Sequence, residues 1–277
     1  MIDLNLFRLK VFPSAQRELW GELTPPEIFR QTISSLPSAE FRRGNVWHIG
    51  NLQQIDDDWG YFRFSKSART KVEIYTDGKF VDAQFEAAPY THVLVHYPLE
   101  IIAIAKKPKL SPNVLNIAKR LRRILEFSNK ATELHAHFEI SIINDPQSFI
   151  HLLNTAYSIT RFSYEFDRKN LFDVDQDFFL PLEKAIAAVN GKKGIAVLKG
   201  DELRKEPLEA IARSAASSGN EVSATIKKAR NSRKLCKKMK GNPAAIQVGD
   251  LSSPRDLKKA AAETLEKYEQ VRRAPPK

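Results

Sequence analysis

Cysteine is nearly absent from this chain: Cys236 is the only one among 277 residues. A single thiol excludes an internal disulfide framework and a zinc site built from four thiolates. Long apolar runs are also missing, because no stretch approaches the roughly 18–20 residues that a membrane-spanning helix needs. The first residues, MIDLNLFRLKVF, have no basic segment ahead of their apolar ones, so they predict a β-strand and not a signal peptide. These absences favour a cytoplasmic location without a membrane partner.

Catalytic motifs are missing as well. The sequence has no GxGxxG, Walker loop, HExxH, GxSxG or CxxC pattern. Two acidic stretches, DDDWG at 56–60 and FDVDQD at 172–177, have carboxylates of the kind that bind Mg²⁺. Both fit loops equally well, and one aspartate of the second stretch suits a helix cap. We therefore assign no catalytic residue, expect no metal or cofactor, and favour a protein that is not an enzyme while leaving that point open.

The charge is strongly basic and unevenly distributed. Lys and Arg number 44 against 33 Asp and Glu, which gives a net charge of +11 and a pI of about 9.6. Such a balance favours polyanionic partners and says nothing about the fold. Residues 221–241 hold eight basic residues and one acid, Glu221, so this segment alone contributes +7 of the +11. The eight basic residues are Lys227, Lys228, Arg230, Arg233, Lys234, Lys237, Lys238 and Lys240.

The segment TIKKARNSRKLCKKMKG (225–241) predicts a flexible loop that projects between strands at 221–229 and 243–250 and contacts phosphates. It contains no aromatic residue, so stacking on unpaired bases is not indicated. The plain alternative is a solvated loop that aids solubility. A second basic group, Lys119, Arg120, Arg122 and Arg123, lies off the apolar stripe of a helix predicted over 111–127. Its plain alternative is an ordinary exposed helix face.

The pattern of apolar residues predicts an α+β protein in two parts. Residues 1–88 form a β-rich domain, a small barrel or a curled antiparallel sheet, and TDGK at 76–79 is a hairpin signal. Residues 89–277 form an α+β domain with a mixed sheet covered by helices. It includes a strand–helix–strand unit whose elements are predicted at 193–200, 206–219 and 221–229. The last helix is predicted over 253–273, with Ser253 as its cap.

From Thr91 onward the order of elements resembles that of the RexA-like phage-exclusion proteins and the KwaB-like components of Kiwa defence. The resemblance runs through THVLVHYPLEIIAIAKK, PNVLNIAKRLRRILEF and AHFEISIINDPQSFIHLLNTAYSITRFSYEFDRKN, and it covers roughly residues 90–250. It implies DNA binding in phage defence. It supplies no motif from which individual site residues could be transferred, and the N-terminal β region lies outside it.

The sequence therefore predicts a bacterial defence or exclusion protein that binds duplex DNA through the phosphate backbone, independently of base sequence. Assembly as a homodimer or with a partner protein is left open. One alternative is an RNA endoribonuclease of the CRISPR-processing type, with His48, His135 or His137 in general acid–base cleavage. Another is a subunit whose basic loop docks on an acidic protein.

Overall fold

The structure, a computed structural model, describes residues 1–13, 23–167, 179–189, 191, 193–240 and 242–273. These ranges contain seven helices and thirteen strands, and the strands form two sheets. This confirms the predicted α+β class. No helix in these ranges is both long and apolar enough to cross a membrane.

Thirteen strands follow one another along the chain: β1 (Ile2–Pro13), β2 (Ser38–Arg42), β3 (Asn45–Gln54), β4 (Trp59–Thr76), β5 (Lys79–Ala87), β6 (Tyr90–His96), β7 (Ile101–Ala105), β8 (Ala136–Ile142), β9 (Ser158–Asp167), β10 (Lys193–Lys199), β11 (Val222–Lys227), β12 (Leu235–Lys238) and β13 (Ala245–Val248). The helices are α1 (Pro25–Ser34), α2 (Val114–Glu126), α3 (Asn129–Glu133), α4 (Gln147–Thr155), α5 (Phe179–Ala188), α6 (Lys205–Ser217) and α7 (Pro254–Arg272).

The larger sheet has nine strands in the order β13-β1-β7-β6-β4-β3-β2, with β5 added to β4 and β8 added to β1. The pairs from β2 to β7 are antiparallel. Because the path ends at β13 on one side and at β2 on the other, the sheet is not a closed barrel. The barrel alternative predicted for the N-terminal region is therefore wrong, and the antiparallel sheet is right.

The chain divides into two compact units. The first comprises residues 1–5, 9–140 and 247–261, and the second comprises residues 6–8, 141–246 and 262–277. The boundary predicted between residues 88 and 89 lies inside the first unit, where β5 before it and β6 after it both pair with β4.

Local signals in the sequence explain several of these elements. Asp77 and Gly78 have φ values of 53° and 77°, the left-handed conformations of a tight hairpin turn between β4 and β5. Ser253 caps α7, since its Oγ accepts the N–H of Asp256 at 3.2 Å. Helix α2 begins later than the predicted start at residue 111: its cap is Asn113, whose side chain accepts the N–H of Leu115.

The smaller sheet has the order β10-β9-β11-β12. Strands β10 and β11 are both antiparallel to β9, so they run in the same direction with β9 between them. The predicted strand–helix–strand unit therefore exists, but its two strands are not neighbours. Residues 243–250, predicted as the strand that follows the basic segment, do not join this sheet, because β13 pairs with β1 of the larger sheet.

Candidate functional site

The basic segment forms an ordered hairpin and not the flexible loop that the sequence predicted. Strands β11 and β12 pair in antiparallel register from Ser223 with Lys238 to Ile226 with Leu235. The hydroxyl of Ser232 organises the connecting turn: its Oγ accepts the N–H of Lys228 at 2.9 Å and that of Ala229 at 3.0 Å. We call residues 227–240 the basic hairpin. Its cations are held by strand pairing and by this turn.

Seven of the eight cations in the basic hairpin are exposed, and Lys227 is half-buried. In the described part of the chain, their single ion pair joins Lys238 Nζ to Glu221 Oε2 at 3.3 Å. Both partners of that pair are exposed, so it contributes little to stability. The hairpin therefore presents its positive charge to solvent almost uncompensated.

Strand β12 is an edge strand, and this gives a second explanation for the presence of its lysines. Lysines on exposed edges discourage pairing with the edge of another sheet. That reading accounts for Lys237 and Lys238, which lie within β12. It does not account for Lys228, Arg230 and Arg233, which lie in the turn outside the strand.

Two further cations share the open face of the smaller sheet with the hairpin. Strand register places Lys199 of β10 opposite Arg161 of β9, and Arg161 opposite Thr225 of β11. Directly paired residues point to the same face. The opposite face carries the buried Phe162 and Ala224, whereas Arg161 and Lys199 are exposed. Sequence reasoning missed both, although the alternation of polar and aromatic residues in RFSYEF was a usable signal.

The second predicted basic group divides between two environments in the first unit. Arg120 and Arg123 line a cavity of about 530 Å³, which we call the α2 cavity. Arg122 is not among its lining residues, and its Nη1 lies 3.7 Å from Glu126 Oε1 one turn along the helix. The α2 cavity therefore involves only two of the three arginines that the sequence grouped together.

Among the residues that the structure describes, the α2 cavity is lined by five cations and by no acidic residue. The cations are Arg42, Lys66, Lys119, Arg120 and Arg123. They come from β2, β4 and α2. On α2 the cavity side is formed by Asn116, Lys119, Arg120 and Arg123, whose spacing of three, four and seven residues places them on one side of a helix.

An aromatic ring fixes the arginines of the α2 cavity. The guanidinium carbons of Arg123 and Arg120 lie 4.3 and 5.4 Å from the ring centroid of Phe41. Strand β2 shifts register between Glu40 and Arg42, and such a bulge re-aims side chains. This allows the consecutive residues Phe41 and Arg42 both to line the cavity. Burial lowers the pKa of Arg120 from its ordinary value, and repulsion from Arg123 and Arg42 lowers it further.

The candidate catalytic histidines have separate environments. The Nε2 of His48 lies 2.8 Å from Ser67 Oγ, and the Nδ1 of His137 lies 2.9 Å from Glu126 Oε1. His135 lies in the turn that precedes β8, with a φ of 46°, so it is outside the strand that contains His137.

The acidic stretches do not form a metal site in the described residues. Asp56 closes a turn, because its Oδ1 accepts the N–H groups of Asp58 at 3.0 Å and of Trp59 at 2.8 Å. Residues 172–177 lie outside the described ranges. Elsewhere in those ranges no three His, Cys, Asp or Glu side chains are grouped to hold a metal ion. Cys236 is exposed on β12 and is unpaired.

No protein-family model matches the chain, and no curated protein matches its sequence.

Proposed function

We propose that this protein binds nucleic acid, with duplex DNA as the favoured form, through the phosphate backbone. The basic hairpin makes the principal contacts, and Arg161 and Lys199 extend its surface across the open face of the smaller sheet. The observation that carries the proposal is the concentration of eight cations on one ordered hairpin, where they form a single, exposed ion pair among the described residues.

Physical chemistry supports a phosphate-directed contact. Lys and Arg that neutralise phosphates release condensed counterions, and this release drives binding that is independent of base sequence. Arg230 and Arg233 add planar groups that bind phosphate through two N–H donors at once. Because strand pairing and Ser232 already order the hairpin, less conformational entropy is lost on binding than a flexible loop would lose.

We place this activity in bacterial anti-phage defence or exclusion, in the cytoplasm, as a sensor or effector without its own catalysis. The resemblance to the RexA-like and KwaB-like proteins supports this role. Self-association or a partner protein is compatible with it.

Charge reversal tests the proposal. Replacing Lys234, Lys237 and Lys238 with Glu should weaken binding to unrelated duplexes to a similar extent, since phosphate contacts position a protein without specifying a sequence. A matched control carries the same charge change on another exposed ribbon: Arg69, Lys71 and Lys79 of β4 and β5 replaced with Glu. Electrophoretic or anisotropy titrations compare them.

The control separates a local contact from the overall charge. The proposal expects the hairpin variant to lose most of its affinity while the control keeps most of it. Equal losses would mean that net charge alone governs binding, and an unaffected hairpin variant would remove the hairpin from the interface.

Two rival functions have direct tests. If the protein is an endoribonuclease that uses His48, His135 or His137, it should cleave RNA, and incubation with and without EDTA would report the cleavage. If the basic hairpin docks on an acidic protein, that protein should copurify and remain bound after nuclease treatment.

A further inference from the structure

The α2 cavity is strongly positive along its described lining. In the described ranges, five cations and no acidic residue line a space of about 530 Å³. Like charges at short range repel one another. The pKa of Arg120 is lowered mainly by burial, and repulsion from Arg123 and Arg42 lowers it further. An anion in the cavity would replace repulsion with attraction.

The arginines are prepared to receive such an anion. The guanidinium carbons of Arg123 and Arg120 lie over the ring of Phe41, 4.3 and 5.4 Å from its centroid. An arginine held over an aromatic ring keeps N–H donors for hydrogen bonds in the plane of its guanidinium group. Two such donors on one edge match the paired oxygens of a phosphate group.

The size and the remaining lining favour a ligand larger than an inorganic ion. A volume of about 530 Å³ lies within the range of roughly 300–1,000 Å³ that is typical of small-molecule sites. Trp47 adds an aromatic wall, and Asn45 and Asn116 add amides able to donate and accept hydrogen bonds. Since one phosphate carries about two negative charges, five cations suit a chain of phosphates better than a single one.

We propose that the α2 cavity binds a free nucleotide that carries two or three phosphates. Arg42, Arg120 and Arg123 bind the phosphate chain, Lys66 and Lys119 add charge at the rim, and the base lies toward Trp47. This site is separate from the basic hairpin and does not depend on the proposed function.

Calorimetric titration of the full chain with ATP in the absence of divalent ions tests the proposal. Binding should weaken in the order ATP, ADP, AMP, and adenosine should bind least, because affinity follows the number of phosphates. Quenching of tryptophan fluorescence should accompany binding, and Trp47→Phe should abolish that quenching, because the proposal places the base next to Trp47.

Variants on one helix provide the matched comparison. Arg120→Gln and Arg123→Gln together should weaken ATP binding roughly tenfold or more, because charge-assisted hydrogen bonds are lost. Arg122→Gln removes the same charge from the same helix outside the cavity and should change affinity by less than about twofold. If the double variant does not fold, as judged by its melting curve, Arg42→Gln on β2 makes the same test.

Three results would overturn the proposal. Inorganic tripolyphosphate binding as tightly as ATP would reduce the cavity to a general anion site. A single-stranded oligonucleotide that binds more tightly than ATP, and loses affinity in the Arg120 and Arg123 variants, would make the cavity part of a nucleic-acid surface. Equal affinities of the Arg122 variant and the cavity variants would place ATP elsewhere.

Discussion

The guanidinium carbon of Arg123 on α2 lies over the ring of Phe41 on β2, 4.3 Å from the ring centroid. This contact joins the helix to the strand at the wall of the α2 cavity. It restricts the orientation of a long side chain without using its N–H donors. The cation is therefore held in place and still available to a ligand.

A double-mutant cycle should detect this contact. Phe41→Leu and Arg123→Gln should each lower the free energy of unfolding modestly, and the coupling between them should be about 0.5–1 kcal/mol for a half-exposed cation–π pair. Chemical denaturation of the two single variants and the double variant gives the value. A coupling near zero would mean that the stacked geometry has no energetic consequence.

How well the sequence predicts each feature depends on how far apart along the chain its interacting residues lie. The Asp77–Gly78 turn and the Ser253 cap were predictable because the interacting groups lie within a few residues of one another. The α2 cavity was not, because the order of strands in the sheet brings Phe41 and Lys66 to α2. The sequence showed the arginines of α2, but it did not indicate that Arg122, unlike its neighbours, lies outside the α2 cavity.

The basic hairpin illustrates a different limit. Strand β12, with the sequence LCKK, is short and exposed throughout. Its sequence therefore lacks the apolar alternation that predicts a strand. Its pairing with β11 follows from the turn at Ser232, whose side chain bonds to the backbone. Charge composition located the candidate interface, but it did not indicate the strand that orders it.

Substitution at Gly219 should be costly. Gly219 has a φ of 68°, and an added Cβ would lie 2.7 Å from the Cβ of Ser141. Gly219→Ala should therefore lower the free energy of unfolding by roughly 2 kcal/mol or more, since left-handed backbone and steric overlap both oppose it. Gly50→Ala is the matched control, because no atom lies within 4 Å of its added Cβ. Denaturant midpoints that fall equally for the two variants would contradict this account.

The buried His96 should make stability depend on pH. Burial lowers its pKa from the ordinary value, an effect that Asp58 and Asp56 partly oppose, and its Nδ1 accepts the N–H of Leu99 at 3.0 Å. The unfolded chain then binds the proton more readily than the folded one. Its contribution to stability is complete above about pH 6.5, the unperturbed pKa, and is lost as the pH falls toward the lowered pKa.

His96→Asn retains a hydrogen-bond acceptor but cannot titrate. Unfolding free energies measured from pH 7.5 to 5 should therefore decline less steeply for this variant than for the wild type. The lowered pKa of His92 leaves a residual slope in both proteins. Parallel curves would show that His96 does not contribute.

Two phenylalanines on neighbouring strands should differ sharply in their effect on stability. Phe64 of β4 is fully buried, whereas Phe80 of β5 is 80% exposed and contacts Tyr75 with ring centroids 5.0 Å apart. Phe64→Ala should cost about 3–5 kcal/mol of unfolding free energy. Phe80→Ala should cost no more than about 1 kcal/mol, because only one exposed ring contact is lost. A large loss at Phe80 would indicate that the β4–β5 ribbon is covered in solution.

The dependence of DNA affinity on salt should report how many hairpin cations contact phosphates. If five to seven of the eight do so, the logarithm of the association constant should fall against the logarithm of salt concentration with a slope of about −5 to −6. Removing three of them, at Lys234, Lys237 and Lys238, should make the slope shallower by about 3. The control with Glu at Arg69, Lys71 and Lys79 should keep the wild-type slope, because a cation that contacts no phosphate releases no counterion. A wild-type slope shallower than about −3, or one that the hairpin variant leaves unchanged, would exclude the basic hairpin as the main phosphate contact.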